Sequence, residues 1–333
     1  MPSIRRLLPL LLLATVAAPL TGHASYAGHP EAAGFIQKMS ERHGFDGNEV
    51  RAHLGRAERN DQVLRLIQPP ASPQARSWQR YRGNFLTDTH IRGGVRFWER
   101  NATTIAAASE RYQVPPEIIV AIIGVETNYG GYTGNFQTLS ALATLAFDYP
   151  PRAELFRREL ENLFLLAREQ SRDPASYRGS YAGALGYPQF LPSSMRNYAV
   201  DFDDDGRIDF ESDAVDAIGS VANYFAEHGW QPGEPVVARV LLPAGLDPEP
   251  LIAAGIEPAL DPMEVMAQGI TPLRGELHDS PVTLFDLPTP GQSPEYWVGY
   301  RNFYVITRYN RSSFYAMAVY DLSQAILTRR ETN

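Results

Sequence analysis

The stretch Val114-Pro-Pro-Glu-Ile-Ile-Val-Ala-Ile-Ile-Gly-Val-Glu-Thr-Asn-Tyr-Gly-Gly131 places one carboxylate, Glu126, near the end of an otherwise apolar helix. Pro115 and Pro116 suit a first helical turn, and Gly130-Gly131 supply the stop, so the spacing predicts a helix ending just past Glu126. Ile119, Ile122 and Val125 fall on the same side as Glu126, which puts the carboxylate on the face turned toward the core. Poor solvation disfavours the charged form and raises the pKa, as a general acid working near neutral pH requires.

Around this helix the chain reads as largely α. Short helices are expected from Glu31 to about Ile67, with Asp46 as N-cap for Asn48 to Ala57, and a loop at Pro69-Pro70-Ala-Ser-Pro73. Arg92 to Tyr112 and Gln137 to Phe147 look helical. Leu155, Phe156, Leu160, Leu163, Phe164 and Ala167 form a helical stripe within Arg152 to Gln170. After Trp230 the texture changes to Pro-punctuated runs, with strands expected over Pro235 to Leu242, Pro281 to Leu287 and Tyr296 to Thr307, and a last helix near Tyr315 to Thr328.

The first residues read as an export signal: Arg5 and Arg6, the apolar run Leu7 to Leu20, and small residues around Gly22-His23-Ala24. The run is short for a membrane span. With no cysteine in the chain, a lipid anchor on a cysteine is excluded and no disulfide framework is available. The expectation is a mature protein beginning near Ser25, soluble and outside the cytoplasm, stabilised by its core. The formal charge is −8, and a non-specific nucleic-acid binder would be basic. The seven histidines do not fall at zinc-site spacing, and there is neither a Gly-x-Ser-x-Gly elbow nor a Gly-Lys phosphate loop. Metalloprotease, serine hydrolase and nucleotide enzyme are poor matches, and no organic cofactor is expected.

A second segment, Gly179-Ser-Tyr-Ala-Gly-Ala-Leu-Gly-Tyr-Pro-Gln-Phe-Leu-Pro-Ser-Ser194, mixes glycines that let backbone approach a ligand with hydroxyl, amide and aromatic groups. That mixture suits a sugar, whose faces stack on rings and whose rim needs hydrogen bonds. A third, Asp201-Phe-Asp-Asp-Asp-Gly-Arg-Ile-Asp209, fits the opening of an EF-hand loop: oxygen ligands from Asp201, Asp203 and Asp205, then Gly206, then the Arg207 carbonyl. Position twelve is Ser212 and not Glu, so the closing ligand comes from elsewhere, with Asp216 or Asp213 as candidates. Calcium in a structural role fits several direct carboxylates better than magnesium.

Four ordered motifs carry a resemblance. Gly124-Val-Glu-Thr-Asn-Tyr-Gly130, Tyr181 to Ser194, Asp216-Ala-Ile-Gly-Ser-Val-Ala-Asn-Tyr-Phe225 and Asn302-Phe-Tyr-Val-Ile-Thr-Arg-Tyr-Asn310 resemble the B-type lytic murein transglycosylases. The resemblance implies an α+β, mainly α fold: a lysozyme-like catalytic core with an added N-terminal α lobe and a small β lobe. Its division would be a signal peptide at 1–24, an N-terminal helical lobe at 25–112, a core at 113–230 with an EF-hand-like loop at 201–216, a β-containing lobe at 231–295, and a C-terminal segment at 296–333 returning to the core.

It further implies action on peptidoglycan glycan strands in the periplasm, with other cell-wall enzymes as candidate partners. Glu126 would be the sole acid/base, protonating the bond between N-acetylmuramic acid and N-acetylglucosamine. It would then take the proton of the muramoyl C6 hydroxyl as a 1,6-anhydro ring closes. Substrate contacts carry over to Tyr81, Ser180, Gln189, Tyr224, Tyr309, Asn310 and Tyr315. Where the family has an arginine pair, Pro151-Arg152 stands here, leaving Arg152 for a stem-peptide or lactyl carboxylate. The resemblance also favours Asp216 as the closing metal ligand. Two other readings compete. A lysozyme-like hydrolase would want a second carboxylate facing Glu126, with Asp148 the nearest candidate in sequence. A non-catalytic wall-binding protein would use the same fold without the chemistry.

Overall fold

The computed structural model describes residues 25–69 and 76–332. The expected signal at 1–24 and most of the Pro69–Pro73 loop lie outside the described residues. Three helices open the chain, α1 (Ala32–His43), α2 (Gly47–Arg56) and α3 (Asp61–Leu66). Asp46 caps α2 by accepting from the Asn48 N–H, and Asn60 caps α3 by accepting from Gln62 and Val63.

The helices α4 (Trp78–Gly83), α5 (Asp88–Arg100) and α6 (Ala102–Tyr112) follow. The helical run expected over Arg92–Tyr112 is thus broken at Asn101, whose side-chain amide donates to the Phe97 carbonyl while its backbone leaves helical geometry. Next comes α7 (Pro116–Thr127), with Pro116 at its first position and Pro115 as cap. Residues Ile118 to Gly124 are all buried, so α7 is apolar on every side and serves as an inner helix packed among its neighbours.

Around α7 lie α5, α6, α11 (Val215–Glu227) and α15 (Ser313–Glu331). A paired α8 (Thr138–Asp148) and α9 (Ala153–Glu169) form a second layer, joined to the N-terminal helices through α3 and α8. Buried Glu159 of α9 accepts from the Ser193 N–H and hydroxyl, fixing the start of α10 (Pro192–Tyr198). A two-residue antiparallel pair, β1 (Phe136–Gln137) with β2 (Arg178–Gly179), ties the entry of α8 to the glycine-rich segment.

The remaining strands make one antiparallel sheet of order β4-β3-β6-β5, from β3 (Val237–Leu241), β4 (Thr271–Pro272), β5 (Thr283–Leu287) and β6 (Glu295–Gly299). With the short helices α12 (Glu249–Ile252) and α13 (Pro262–Ala267) it encloses its own cluster, including Val240, Val265, Ile270, Leu284 and Val298. The expected strand Tyr296–Thr307 is a correction: β6 ends at Gly299, and Arg301–Tyr309 is the helix α14. β-branched and aromatic residues suggested a strand, but Asn302, Phe303, Val305 and Ile306 are buried at helical spacing, and that period decides. Among the described residues no helix is long and apolar enough to cross a membrane.

Candidate active site

Glu126 lies in the last turn of α7, half-buried, and its position depends on how that helix stops. Asn128, Tyr129 and Gly130 take three successive left-handed conformations, with φ of 50°, 61° and 86°. The first two cost about 1 kcal/mol or more apiece without a glycine's freedom. Several bonds hold them. The Asn128 N–H donates to Gly124 O at 2.9 Å and the Tyr129 N–H to Ile123 O at 3.3 Å, closing the helix end. The Thr127 hydroxyl accepts from the Gly130 N–H at 3.0 Å and lies 3.1 Å from both Ile123 O and Tyr187 O.

Two glycines are required here. A Cβ on Gly124 would stand 2.7 Å from the Tyr129 ring, and one on Gly130 would stand 2.1 Å from the ring of Tyr187. His90 of α5 adds a contact with no signal in the sequence, a ring nitrogen 3.0 Å from Gly124 O.

Opposite the helix end, the Tyr315 hydroxyl donates to Glu126 Oε1 at 2.5 Å. Burial pushes the Glu126 carboxyl from its ordinary 4.5 up to about 7, against the smaller opposing effect of the Tyr315 hydrogen bond. Among the described residues no charged group contributes to that shift. Burial, aided by the neighbouring Glu126, holds the phenols of Tyr309 and Tyr315 well above their usual range, so both stay neutral donors. Tyr81 is raised by the same two causes.

An aromatic wall extends from this point. The Tyr309 and Tyr315 rings lie 6.4 Å apart and 13° from parallel, and Tyr224 meets Tyr309 edge-on at 4.9 Å. Tyr309 donates to Pro188 O at 2.5 Å and Tyr224 to Arg308 O at 2.7 Å, which fixes both rings. Gln189, itself left-handed at φ 49°, donates its amide to Thr133 O at 3.0 Å and Gly186 O at 2.9 Å. It therefore joins the loop after α7 to the glycine-rich segment. The Ser180 hydroxyl accepts from the Ala184 N–H at 3.0 Å, bracing the turn around Gly183.

Thus Tyr81, Tyr309 and Tyr315 gather on Glu126, Tyr224 backs that wall, and Ser180 and Gln189 shape the adjoining loops. Asn310 is exposed just beyond α14. Arg152 sits apart, on an exposed turn, its guanidinium 5.4 Å over the Phe156 ring in a cleft of about 500 Å³ shared with Glu31, Phe147 and Arg157. Asp148 is engaged elsewhere: it accepts from the Tyr26 hydroxyl at 2.5 Å and pairs with Arg59 at 3.2 Å and His29 at 3.7 Å.

In the acidic loop, carboxylate oxygens of Asp201, Asp203 and Asp205 all lie within 4.8 Å of one another. No ion pair among the described residues neutralises them, and the Asp201 carboxylate is oriented by the N–H groups of Asp205 and Gly206. This donor set of hard oxygens fits a hard divalent cation. Asp216 stands outside the group of three. Its two oxygens accept from Phe202 N and Asp209 N, both at 2.7 Å, so the buried carboxylate stitches the two sides of the loop together at the start of α11. Asp213 instead accepts from the Val215 N–H.

A half-buried carboxyl at the end of an inner helix, its pKa raised by burial and walled by tyrosines, on a mainly helical fold with a lysozyme-like centre, defines a glycan-cleaving enzyme. The match of the Transglycosylase SLT domain to residues 27–324 places the chain in that family, as a lytic transglycosylase. It is 44% identical over 314 residues to the membrane-bound lytic murein transglycosylase B of Escherichia coli strain K12, covering 92% of this chain and 85% of that protein. The catenated lytic transglycosylase SltB1 of Pseudomonas aeruginosa superposes with a TM-score of 0.85 at 47% identity, over 92% of this chain and 99% of that one. The Escherichia coli lytic transglycosylase Slt35 in complex with calcium gives a TM-score of 0.81 at 44% identity, over 92% and 95% of the two chains.

Proposed function

We propose that this protein cleaves the β-1,4 bond between N-acetylmuramic acid and N-acetylglucosamine in peptidoglycan, leaving 1,6-anhydromuramoyl ends, with Glu126 as acid and then base. The observation that carries this reading is the Glu126 carboxyl, raised by burial and bonded to Tyr315, with no carboxylate among the described residues contributing to its shift. Near neutral pH a carboxyl with a pKa of about 7 is protonated often enough to donate and ionised often enough to accept. Its proton passes to the glycosidic oxygen as that oxygen's bond to C1 breaks. The carboxylate then takes the proton of the muramoyl C6 hydroxyl while O6 bonds to C1. Glu126 ends as it began, and no water is consumed. The Tyr315 hydroxyl stabilises the carboxylate between the two transfers.

A hydrolase of this fold would want a carboxylate across the sugar to guide water or to serve as nucleophile. Asp148 is tied to Tyr26 and Arg59, which weighs against that reading. A pure binding protein would have no use for a carboxyl whose ionisation is penalised by burial.

Tyr81, Tyr309 and Tyr315 would supply ring faces for the glycan, backed by Tyr224, with Ser180, Gln189 and Asn310 as polar contacts and Arg152 reaching a more distant carboxylate. Calcium would be held by Asp201, Asp203, Asp205 and the Arg207 carbonyl, with Asp216 closing the loop. Its chemistry there would be neutralisation of the clustered carboxylates. We read 25–112 and 231–295 as lobes flanking one core at 113–230, with 296–333 returning to it, and the working place as the periplasm. The test is Glu126→Gln, which keeps shape but cannot exchange a proton: turnover on peptidoglycan should fall by about 10²- to 10⁴-fold with binding retained. Undiminished turnover in that variant removes the assignment.

A further inference from the structure

Tyr81, one of the rings beside Glu126, stands on α4, a helix of only six residues. So short a helix has little stability of its own and must be held by its neighbours. Three sets of contacts hold it. Its first turn is tied to the connection between β5 and β6: the Trp78 N–H donates to Pro288 O at 2.8 Å, the Gln79 N–H to Thr289 Oγ1 at 3.3 Å, and the Gln79 amide to Gln292 Oε1 at 3.0 Å. Trp78 and Tyr81 both pack on Phe314, with ring centroids 5.5 and 5.7 Å away. At its far end Arg82 Nε donates to Asp321 Oδ2 at 2.6 Å.

Asp321 is on α15, the helix that also carries Phe314 and the glutamate's partner Tyr315. The Asp321 side chain is 18% exposed, whereas that of Arg82 is 47% exposed, so the carboxylate is the fixed half of the pair. One helix thus relates two of the rings around Glu126, holding Tyr315 on Glu126 directly and Tyr81 through Arg82.

We propose that Asp321 is a positioning residue for glycan binding: its ion pair with Arg82, together with the β5–β6 connection, fixes α4 and so holds Tyr81 beside Glu126. This assigns the sheet-bearing lobe a role, since its hairpin supplies the other anchor of α4. Glu295 of β6 also acts on Asp321 as a like charge, and its own partner is Arg239 at 3.7 Å. The inference rests on reading the surroundings of Glu126 as a glycan site, not on the identity of the products.

The experiment measures affinity for purified glycan strands in the Glu126→Gln background, where turnover does not interfere, with wild-type turnover followed alongside. Asp321→Asn should weaken binding about five-fold, the size of a partly exposed ion pair, with the melting temperature little changed. Arg82→Gln, on the more exposed partner, should do the same and serves if Asp321→Asn folds poorly. The double variant Arg82→Asp with Asp321→Arg should recover most of the loss. Neither single change should matter further once Tyr81 is replaced by Ala, because Tyr81 is what the pair positions. Equal losses with and without Tyr81, or unchanged affinity in both single variants, overturn the proposal. If wild-type protein binds strands but makes no anhydro ends, the proposed reaction fails while these affinity comparisons still decide the role of Asp321.

Discussion

Glu126 is costly where it stands. With the folded pKa raised from 4.5 to about 7, the native state holds a proton that the unfolded state releases across that interval. Stability therefore falls as pH rises from about 4.5 to about 7 and is then level. Glu126→Gln removes the ionising group, so its melting temperature should exceed that of wild type at pH 8 and match it at pH 4; the same difference at both values would refute a raised pKa. Activity has the related signature. The donor must be protonated, so kcat/KM should decline above about pH 7. Tyr315→Phe removes the hydrogen bond that favours the carboxylate, and that basic limb should move to higher pH while the maximal rate falls. A limb displaced to lower pH would show that Tyr315 does something other than stabilise the ionised form.

At the level of the element, the end of α7 does more than stop a helix. Two left-handed non-glycine residues and the Thr127 hydroxyl fix the turn on which Glu126 sits, and Gly124 leaves room for the Tyr129 ring beneath it. Gly124→Ala should destabilise the fold by about 2 kcal/mol through overpacking, measurable by denaturant unfolding, and lower activity with it. An unchanged midpoint would mean that Tyr129 moves freely.

The loop before α11 carries a separate prediction. Chelation should lower the melting temperature and calcium restore it, because a cation binding the clustered carboxylates stabilises only the native state; indifference to both contradicts a bound structural ion. The two ends of α7 are readable from Pro115-Pro116 at its start and Gly130-Gly131 at its stop because those residues act locally. α14 was misread because Phe303, Tyr304, Val305 and Ile306 suit a strand in isolation, and only packing against the core imposes the helical period.

Across the whole molecule, what the sequence reveals divides by range. Glu126 as a buried carboxylate follows from residues within two turns of it. Its hydrogen-bond partner comes from 189 residues away, and nothing local announces that Tyr315 will arrive there; only the resemblance named it among the site residues. His90, bound to Gly124 O, carried no signal at all, since a half-exposed histidine on a polar helix is usual. Asp148 looked available in sequence and is engaged in the folded chain by Tyr26, some 122 residues earlier. The docking of α4 on the β5–β6 connection is likewise a product of tertiary packing, yet it determines where Tyr81 stands.

Among the described residues no carboxylate acts on Glu126, which fits attack by an internal hydroxyl better than a water guided by a second carboxylate. The mass spectrum of peptidoglycan digested by the purified protein tests this most directly. Muropeptides ending in 1,6-anhydromuramic acid, each lighter by one water than its reducing counterpart, are the predicted products; reducing-end muropeptides as the primary products would contradict it.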